Sequence, residues 1–398
     1  MMADNRSTSA PWLLPPIALQ ILHYLDDADD AHAFLQAAPN DSLDDALDAL
    51  RTLLAMDVEL PLWPTAHIAG LDEAYTSVFA TALPLFKTIT VTSSQNNCKI
   101  CHATELPPTT ALSATVEDGV ISVRAALGDW LPRLVDLKVM SGNDLNAVAL
   151  VKDDLSACHD LRALTMNQED GLGQDAFDAA LTAVIATCPQ VERICVGSSS
   201  LSYMSDCKHL VAWLALPSAR HLKVECTDFQ DELGAELAVA MLTSTTLETI
   251  ELSEVPNLTR AILCPSSPPM PSQLQHLTIC DCMTTGGYDS WDDGNNTTVD
   301  PPSAFDESNV VDVATKISTA SSLKSLDLWS RTSCDATPVV NILPQLPTLT
   351  KLALQDVHLA AFPSLRQLWH LELWWVSFSD DAIASLATLL CSSPKLTG

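Results

Sequence analysis

The chain has 398 residues, of which 47% are hydrophobic and only 18% are charged. This composition is typical of a folded chain with a large core and excludes a disordered one. Its 20 basic and 50 acidic residues give a formal net charge of −30. Nucleic acids and anionic membranes are bound by clustered Lys and Arg, so we expect neither as a ligand.

The N-terminal residues Met1 to Pro11 are polar, and the sequence contains no uncharged apolar stretch of about 18 residues. We therefore expect no signal peptide and no transmembrane helix. The expected location is the cytoplasm, with the nucleus as the alternative. In such a compartment the 12 cysteines are expected to be reduced and to act as small hydrophobes. Several are expected at buried repeat positions, such as Cys188 and Cys391 near helix ends.

Residues 12–60 predict three short helices. The first lies between Trp12 and Leu25 and follows Leu14-Pro15. Asp29 or Asp30 can cap the second, and Ser42 with Asp45 can cap the third. The apolar positions expected in the third helix are Leu43, Ala46, Leu47, Leu50 and Leu54.

A short phrase, apolar-x-x-apolar-x-apolar, recurs along the rest of the chain. Its middle apolar residues are Ile89, Leu137, Leu164, Ile194, Leu222, Ile250, Leu277, Leu326, Leu352 and Leu371. From Leu134 to Leu274 the steps between phrases are 27, 30, 28, 28 and 27 residues. This spacing is that of leucine-rich repeats, which have a period of about 20–29 residues.

Three steps between phrases are irregular. The step of 48 residues from Phe86 to Leu134 predicts a degenerate strand or a long loop. The step of 49 residues from Leu274 to Leu323 predicts one repeat plus an insertion, residues 281–309, whose acidic and polar composition is typical of a solvated, mobile loop. The step of 19 residues from Leu349 to Leu368 predicts a repeat without its helix.

Helical patterns lie between several phrases. The apolar stripes expected to face the core are Phe177, Leu181, Val184 and Ile185; Val310, Val313, Ala314 and Ile317; and Ile383, Leu386, Ala387 and Leu390. Phrase and helix together predict an α/β leucine-rich-repeat solenoid over residues 80–398, with parallel strands on the concave side and helices on the convex side. The segments Gln230 to Leu252 and Ser379 to Leu396 resemble the ribonuclease-inhibitor-like class of these repeats.

The N-terminal segment Trp12 to Leu25 resembles the opening of an F-box. Leu14-Pro15 matches its start, and Ile21, Leu22, Tyr24 and Leu25 match the end of its first helix. The resemblance implies that Leu14, Pro15, Ile21, Leu22 and Leu25 bind a Skp-type adaptor. The alternative is that these helices only cap the first repeat, because repeat stacks need a cap.

Within each phrase, the residues between the apolar positions are expected to point to the concave face, because side chains alternate along a strand. We expect a protein partner to bind there. The candidate partner-binding residues are Arg193, His221, His276, Trp329, Lys351, His370 and Trp374. Trp329 and Trp374 are the expected anchors, and Lys351 with His370 is expected to meet an acidic group of the ligand.

No catalytic motif is found, so we expect a non-enzymatic recognition protein without cofactor or metal. Cys98-Lys99-Ile100-Cys101-His102 has the spacing of a haem-attachment motif but is expected to be structural. With an F-box, the repeats imply the substrate receptor of a Skp–cullin-type ubiquitin ligase. The alternatives are a free-standing scaffold or inhibitor and, remotely, a GTPase activator with Arg193 as the arginine finger.

Overall fold

A computed structural model of the chain describes residues 15–39, 42–56, 63–68, 73–93, 99–117, 122–141, 155–168, 181–182, 184–204, 206–281, 303 and 305–392. They belong to two compact units, Met1–Arg162 and Ala163–Gly398. Each unit contains parallel strands that pair in chain order.

Three helices open the first unit, as the sequence predicts: α1 (Pro15–Leu22), α2 (Ala28–Gln36) and α3 (Asp45–Leu54). The residues that cap them differ from those predicted. Asp27 caps α2, because its side chain accepts hydrogen bonds from the backbone N–H groups at the start of that helix. Asp44 caps α3 in the same way.

The side of α3 that is buried also differs in part from the predicted stripe. Leu47 and Leu50 are buried as expected, but the other buried positions are Ala49 and Leu53. The helix begins at Asp45, so its capping residue is Asp44 rather than the predicted Ser42. The Ser42 hydroxyl instead donates to the carbonyl of Pro39.

Trp63 joins the N-terminal helices to the repeats of the first unit. Its indole N–H donates to the carbonyl of Leu25 at 2.7 Å. Its ring stacks on His23 with the ring centroids 5.7 Å apart, and it also lies against Phe86 at 6.1 Å. Because Trp63 and Phe86 are buried, the helices and the first strands share one core.

Four parallel strands follow in the first unit: β1 (Thr65–His67), β2 (Thr88–Ser93), β3 (Ala111–Val116) and β4 (Leu134–Ser141). The helices between them are α4 (Thr76–Ala82), α5 (Lys99–Ala103) and α6 (Val123–Leu127). The long step from Phe86 to Leu134 therefore holds a degenerate strand, β3. The proposed division into residues 12–60 and 80–398 stays a prediction, and β1 lies between these ranges.

The second unit contains nine strands among its described residues. They are β5 (Ala163–Gln168), β6 (Arg193–Met204), β7 (His221–Phe229), β8 (Thr249–Ser253), β9 (His276–Cys280), β10 (Ser325–Asp335), β11 (Lys351–Leu359), β12 (His370–Trp374) and β13 (Ser377–Phe378). Strands β5 to β12 pair in order, and β13 pairs with the end of β11.

A helix follows most of these strands. The helices are α7 (Lys208–Leu214), α8 (Asp231–Thr243), α9 (Pro256–Leu263), α10 (Val310–Ile317), α11 (Thr337–Ile342) and α12 (Asp380–Ser392). The stripe predicted for α10 is buried, as are Leu181, Val184 and Ile185; Phe177 lies outside the described residues. The stripe predicted for α12 is wrong, because Ala382 and Leu389 are buried whereas Ile383 and Leu390 are exposed.

The predicted repeat register is confirmed. The middle residues of the phrases are all buried: Ile89, Leu137, Leu164, Ile194, Leu222, Ile250, Leu277, Leu326, Leu352 and Leu371. In the second unit they are also direct neighbours across the strands, as in the row Leu222–Ile250–Leu277. The fold is an α/β leucine-rich-repeat solenoid, in which each repeat buries its apolar face against the next.

Polar side chains link successive repeats of the second unit. Four residues before the middle core residue, a hydroxyl or amide group donates to a backbone carbonyl of the preceding repeat. The donors are Ser218, Thr246, Gln273, Thr348 and Gln367. These bonds satisfy carbonyl groups in the turn before each strand, so stacking does not leave them without partners.

A residue with a positive φ recurs at the same place in several repeats. Cys226, Glu254, Asp356 and Trp375 each lie four residues after a middle core residue, and each has a positive φ of 51–55°. Residues other than glycine seldom adopt this conformation. Its repetition at one position shows that the stacked fold imposes it.

The insertion, residues 281–309, was predicted to be a solvated loop, and this is wrong for Asp281 and Phe305, whereas Glu307 and Ser308 are exposed. Phe305 is buried, and the carbonyl of Ser303 accepts hydrogen bonds from Arg260 at 3.0 and 3.2 Å. Asp281 is buried and accepts a hydrogen bond from the Ser303 hydroxyl. Residues 282–302 and 304 lie outside the described residues, so their predicted mobility stays a prediction.

The cysteines in the described part of the chain are free. Cys188 is buried as predicted, and this burial raises the pKa of its thiol to about 11. Cys391 was predicted to be buried, but it is exposed near the end of α12. Over the described ranges, no helix combines the length and the apolar character that crossing a membrane requires.

The register makes a prediction about charge placement in β8. Ile250→Asp should lower the free energy of unfolding by on the order of 3–5 kcal/mol, because it places an unpaired carboxylate in the core. Thr249→Asp adds the same charge one position earlier, where the side chain is half-buried on the other face, and should cost less than about 1 kcal/mol. Urea unfolding followed by circular dichroism measures both. Equal losses would show that the two faces of β8 do not differ in burial.

Candidate functional site

The candidate site is the face of β5 to β12 opposite the core, called here the open strand face. Its side chains form three columns, because residues before, between and after the two apolar positions of each strand point away from the core. Strand pairing places Arg193, His221, Thr249 and His276 in consecutive order in the first column. The predicted partner-binding residues therefore all lie on one face of the second unit.

On β6 to β8 this face carries charges of both signs, and several are paired. The imidazole Nε2 of His221 lies 3.0 Å from Oε1 of Glu251. The ammonium of Lys223 lies 2.6 Å from Oε2 of Glu225. The neighbouring imidazole of His221 holds the pKa of Glu251 below its usual range, with a smaller effect from the charge of Lys223.

Arg193 is exposed at the start of β6. Its positive charge acts on Glu251 and on Cys195. Burial nevertheless raises the pKa of the Cys195 thiol, which disfavours a thiolate at this position. Across the residues that the structure describes, no three or more His, Cys, Asp or Glu side chains are grouped so that they could hold a metal ion.

His276 is exposed on β9. Partial burial and the charge of Lys324 lower the pKa of its imidazole below the ordinary value. Both effects disfavour the protonated form of His276 and so reduce the positive charge that it adds to the first column.

The two predicted tryptophan anchors lie on β10 and β12, with one strand between them. Trp329 pairs with Gln355 on β11, and Gln355 pairs with Trp374 on β12. Trp374 is 57% exposed. Trp329 is half-buried, and its indole N–H donates to Oδ1 of Asp327. Because strands lie about 4.8 Å apart, the two tryptophan positions are separated by roughly 10 Å.

Lys351 and His370 were predicted to meet an acidic ligand, but both already contact a carboxylate of the same face. Nζ of Lys351 lies 3.3 Å from Oε1 of Glu372. Nε2 of His370 contacts the same oxygen, and this bond holds the pKa of Glu372 below its usual range. Sequence spacing does not reveal the contact of Lys351, since it joins side chains of neighbouring strands.

Two further exposed tryptophans were not selected from the sequence. Trp369 is 58% exposed just before β12, and Trp375 is 76% exposed just after it. Trp375 is the positive-φ residue of its repeat, and its ring lies in solvent. The Trp374-Trp375 doublet gave no signal for this exposure, because alternation along a strand would turn the second ring toward the core. The positive φ of Trp375 breaks that alternation, and both rings are exposed.

The predicted adaptor-binding residues have different environments. Leu14 lies outside the described residues, and Pro15 begins α1. Ile21 and Leu25 are half-buried. Leu22 is fully buried, so in this fold its side chain packs inside the first unit and is not available to a partner. The large apolar side chains that this region exposes are Ile17 and Tyr24.

Two of the solved structures that are similar to this chain illustrate the comparison. An internalin from Listeria monocytogenes is 14% identical, with 99% of this chain and 98% of that chain covered and a TM-score of 0.35. A leucine-rich-repeat protein from Leptospira interrogans is 12% identical, with 81% and 91% covered and a TM-score of 0.26. No family model matches the sequence, and no curated protein matches it. The fold assignment therefore rests on the strand register of this chain.

The exposure of Trp374 makes a prediction about stability. Trp374→Ala should change the free energy of unfolding by no more than about 1 kcal/mol, because the ring is mostly in solvent. Trp213→Ala is the matched control: this ring is buried, and its N–H donates to the carbonyl of Val191 at 2.9 Å, so its loss should cost about 3–5 kcal/mol. Guanidinium unfolding measures both variants. A large loss in Trp374→Ala would show that this ring belongs to the core.

Proposed function

We propose that the chain is a non-enzymatic protein-recognition module whose partner binds the open strand face. The observation that carries this proposal is the exposed Trp374 on a paired strand, in register with Trp329. A large aromatic side chain held in solvent by a rigid element is typical of an interface anchor, since aromatic residues are enriched among those that dominate binding energy.

The repeat architecture supports this proposal physically. Backbone hydrogen bonds and the side-chain bonds between repeats fix the positions of the columns before any ligand arrives. A partner therefore loses less free energy to ordering of the receptor than it would on a mobile loop. The chain acts by holding its partner, and no bond is made or broken.

We further propose that the module serves as the substrate receptor of a Skp–cullin-type ubiquitin ligase. Its three N-terminal helices have the number and order that the F-box resemblance implies. Since Leu22 is buried, the adaptor surface is assigned instead to the exposed Ile17 and Tyr24. The receptor raises the effective concentration of its substrate beside the ubiquitin-loaded enzyme.

A second candidate is a free-standing scaffold or inhibitor whose N-terminal helices are only a cap. The observation that favours it is the bond from Trp63 to the carbonyl of Leu25, together with the stacking of Trp63 on His23. These contacts give the helices a structural role in the first unit, with or without an adaptor.

One capture experiment separates these functions. The tagged full chain is incubated with cell extract, and the bound proteins are identified by mass spectrometry. The double variant Ile17→Asp, Tyr24→Asp should lose a Skp adaptor but keep other partners. The double variant Trp329→Ala, Trp374→Ala should lose the other partners and keep the adaptor.

Val311→Asp is the control, because Val311 is 62% exposed on the helix α10. It should keep both classes of protein. If no variant of the N-terminal helices changes adaptor recovery, or if no adaptor is recovered, those helices are only a cap. Partners that survive loss of both tryptophans would place recognition elsewhere on the chain.

A further inference from the structure

Two rows of side chains cross β10, β11 and β12 on the open strand face. The aromatic row is Trp329–Gln355–Trp374, and the acidic row is Asp327–Ala353–Glu372. The rows are two residues apart along each strand, or about 7 Å. Each row therefore has a functional group on the two outer strands and a different residue on the central one.

The central strand forms the floor between these groups. Ala353 and Gln355 are both buried, and the methyl group of Ala353 adds little bulk between the two carboxylates. The Gln355 amide is turned toward Asp356, to which its Nε2 donates at 3.4 Å. The result is a shallow acidic and aromatic cleft, bounded by Trp329 and Asp327 on one side and by Trp374 and Glu372 on the other.

The cleft carries two carboxylates and one ammonium, and this balance favours a cation. Burial raises the pKa of Asp327, and the Trp329 indole and the charge of Lys351 act against that shift. Asp327 and Glu372 supply two carboxylates. The same three strands also carry the ammonium of Lys351 and the ring of His370. Lys351 and His370 both contact Glu372, so neither is directed at Asp327. The Asp327 carboxylate instead accepts from the Trp329 indole, which also orients that ring toward it.

We propose that this cleft binds a cationic side chain of the protein partner, with an arginine guanidinium as the best fit. The proposal rests on the recognition function proposed above and adds the chemistry of the ligand. A guanidinium stacks on tryptophan faces and forms paired hydrogen bonds with carboxylates, and both groups are present here two residues apart. A lysine ammonium meets the same charges without the flat stacking surface.

The charge of the whole chain acts in the same direction. A net charge of −30 attracts cationic partners over distances longer than a contact and repels anionic ones. Such attraction is not specific, so binding by the cleft must be distinguished from attraction by the net charge of the chain. Substitutions that change the cleft and matched substitutions elsewhere make that distinction.

The test measures binding of a short fluorescein-labelled peptide of alternating glycine and arginine by fluorescence anisotropy. Ionic strength is kept near about 0.15 M to screen exposed charges. The full chain should bind it at least about tenfold more tightly than the same peptide with citrulline in place of arginine, since citrulline keeps the shape and loses the charge. A glutamate version of the peptide should bind more weakly still.

Substitutions in the cleft show whether each side chain strengthens or weakens binding of the arginine peptide. Trp374→Ala should weaken arginine-peptide binding at least about tenfold, and Asp327→Asn should weaken it several-fold. Lys351→Gln should strengthen it, because it removes the competing ammonium beside Glu372. The controls Trp369→Ala and Asp381→Asn remove an exposed ring and an exposed carboxylate outside the cleft and should stay within about twofold.

Equal binding of the arginine and citrulline peptides would overturn the proposal, and so would an absence of arginine-peptide binding. Equal effects of cleft and control substitutions would show that the peptide is attracted by the net charge of the chain and not by the cleft. If the glutamate peptide bound best and Lys351→Gln abolished that binding, the ligand would be anionic. In each case, the proposed recognition function would still be supported if the double variant Trp329→Ala, Trp374→Ala lost its partners in the capture experiment.

Discussion

The burial of an apolar residue in each strand from β1 to β12 is the constraint on which this structure depends. In the second unit, Leu222, Ile250 and Leu277 are direct neighbours on β7, β8 and β9, and all are buried. Since side chains alternate along a strand, this choice also fixes which residues face solvent. A slip of one residue would bury His221 or Glu251 and expose the apolar row, which makes the register strongly specified.

The sequence predicted the repeated strands because their apolar spacing is visible without any tertiary information. It was less informative where a repeat departs from that spacing. Strand β3 was missed as a phrase because Ala114 stands where most repeats have a larger apolar residue. The core side of α12 was misplaced because several of its positions are apolar, and packing selected Ala382 and Leu389. Phe305 was overlooked because the acidic residues around it dominate the composition of the insertion.

The candidate site could be predicted only as a set of positions. The columns of the open strand face follow from the strand period, so the alternation of side chains is enough to place Trp329 and Trp374 on one face. The partners of each side chain could not be predicted in the same way, because many of them lie on neighbouring strands that are distant in sequence. Glu372 neutralises Lys351, and Asp327 orients Trp329, which changes the expected ligand from an acidic group to a basic one.

Hydroxyl-radical footprinting of the full chain, read for each residue by mass spectrometry, tests the alternation most directly. We expect rapid oxidation of Trp374 and Trp375 and strong protection of Trp213, Ile250 and Leu352 relative to the denatured chain. All of these residues are measured in one sample, so differences in radical dose cancel. Oxidation of Ile250 and Leu352 at their denatured rates, with Trp374 protected, would contradict the register and the site that depends on it.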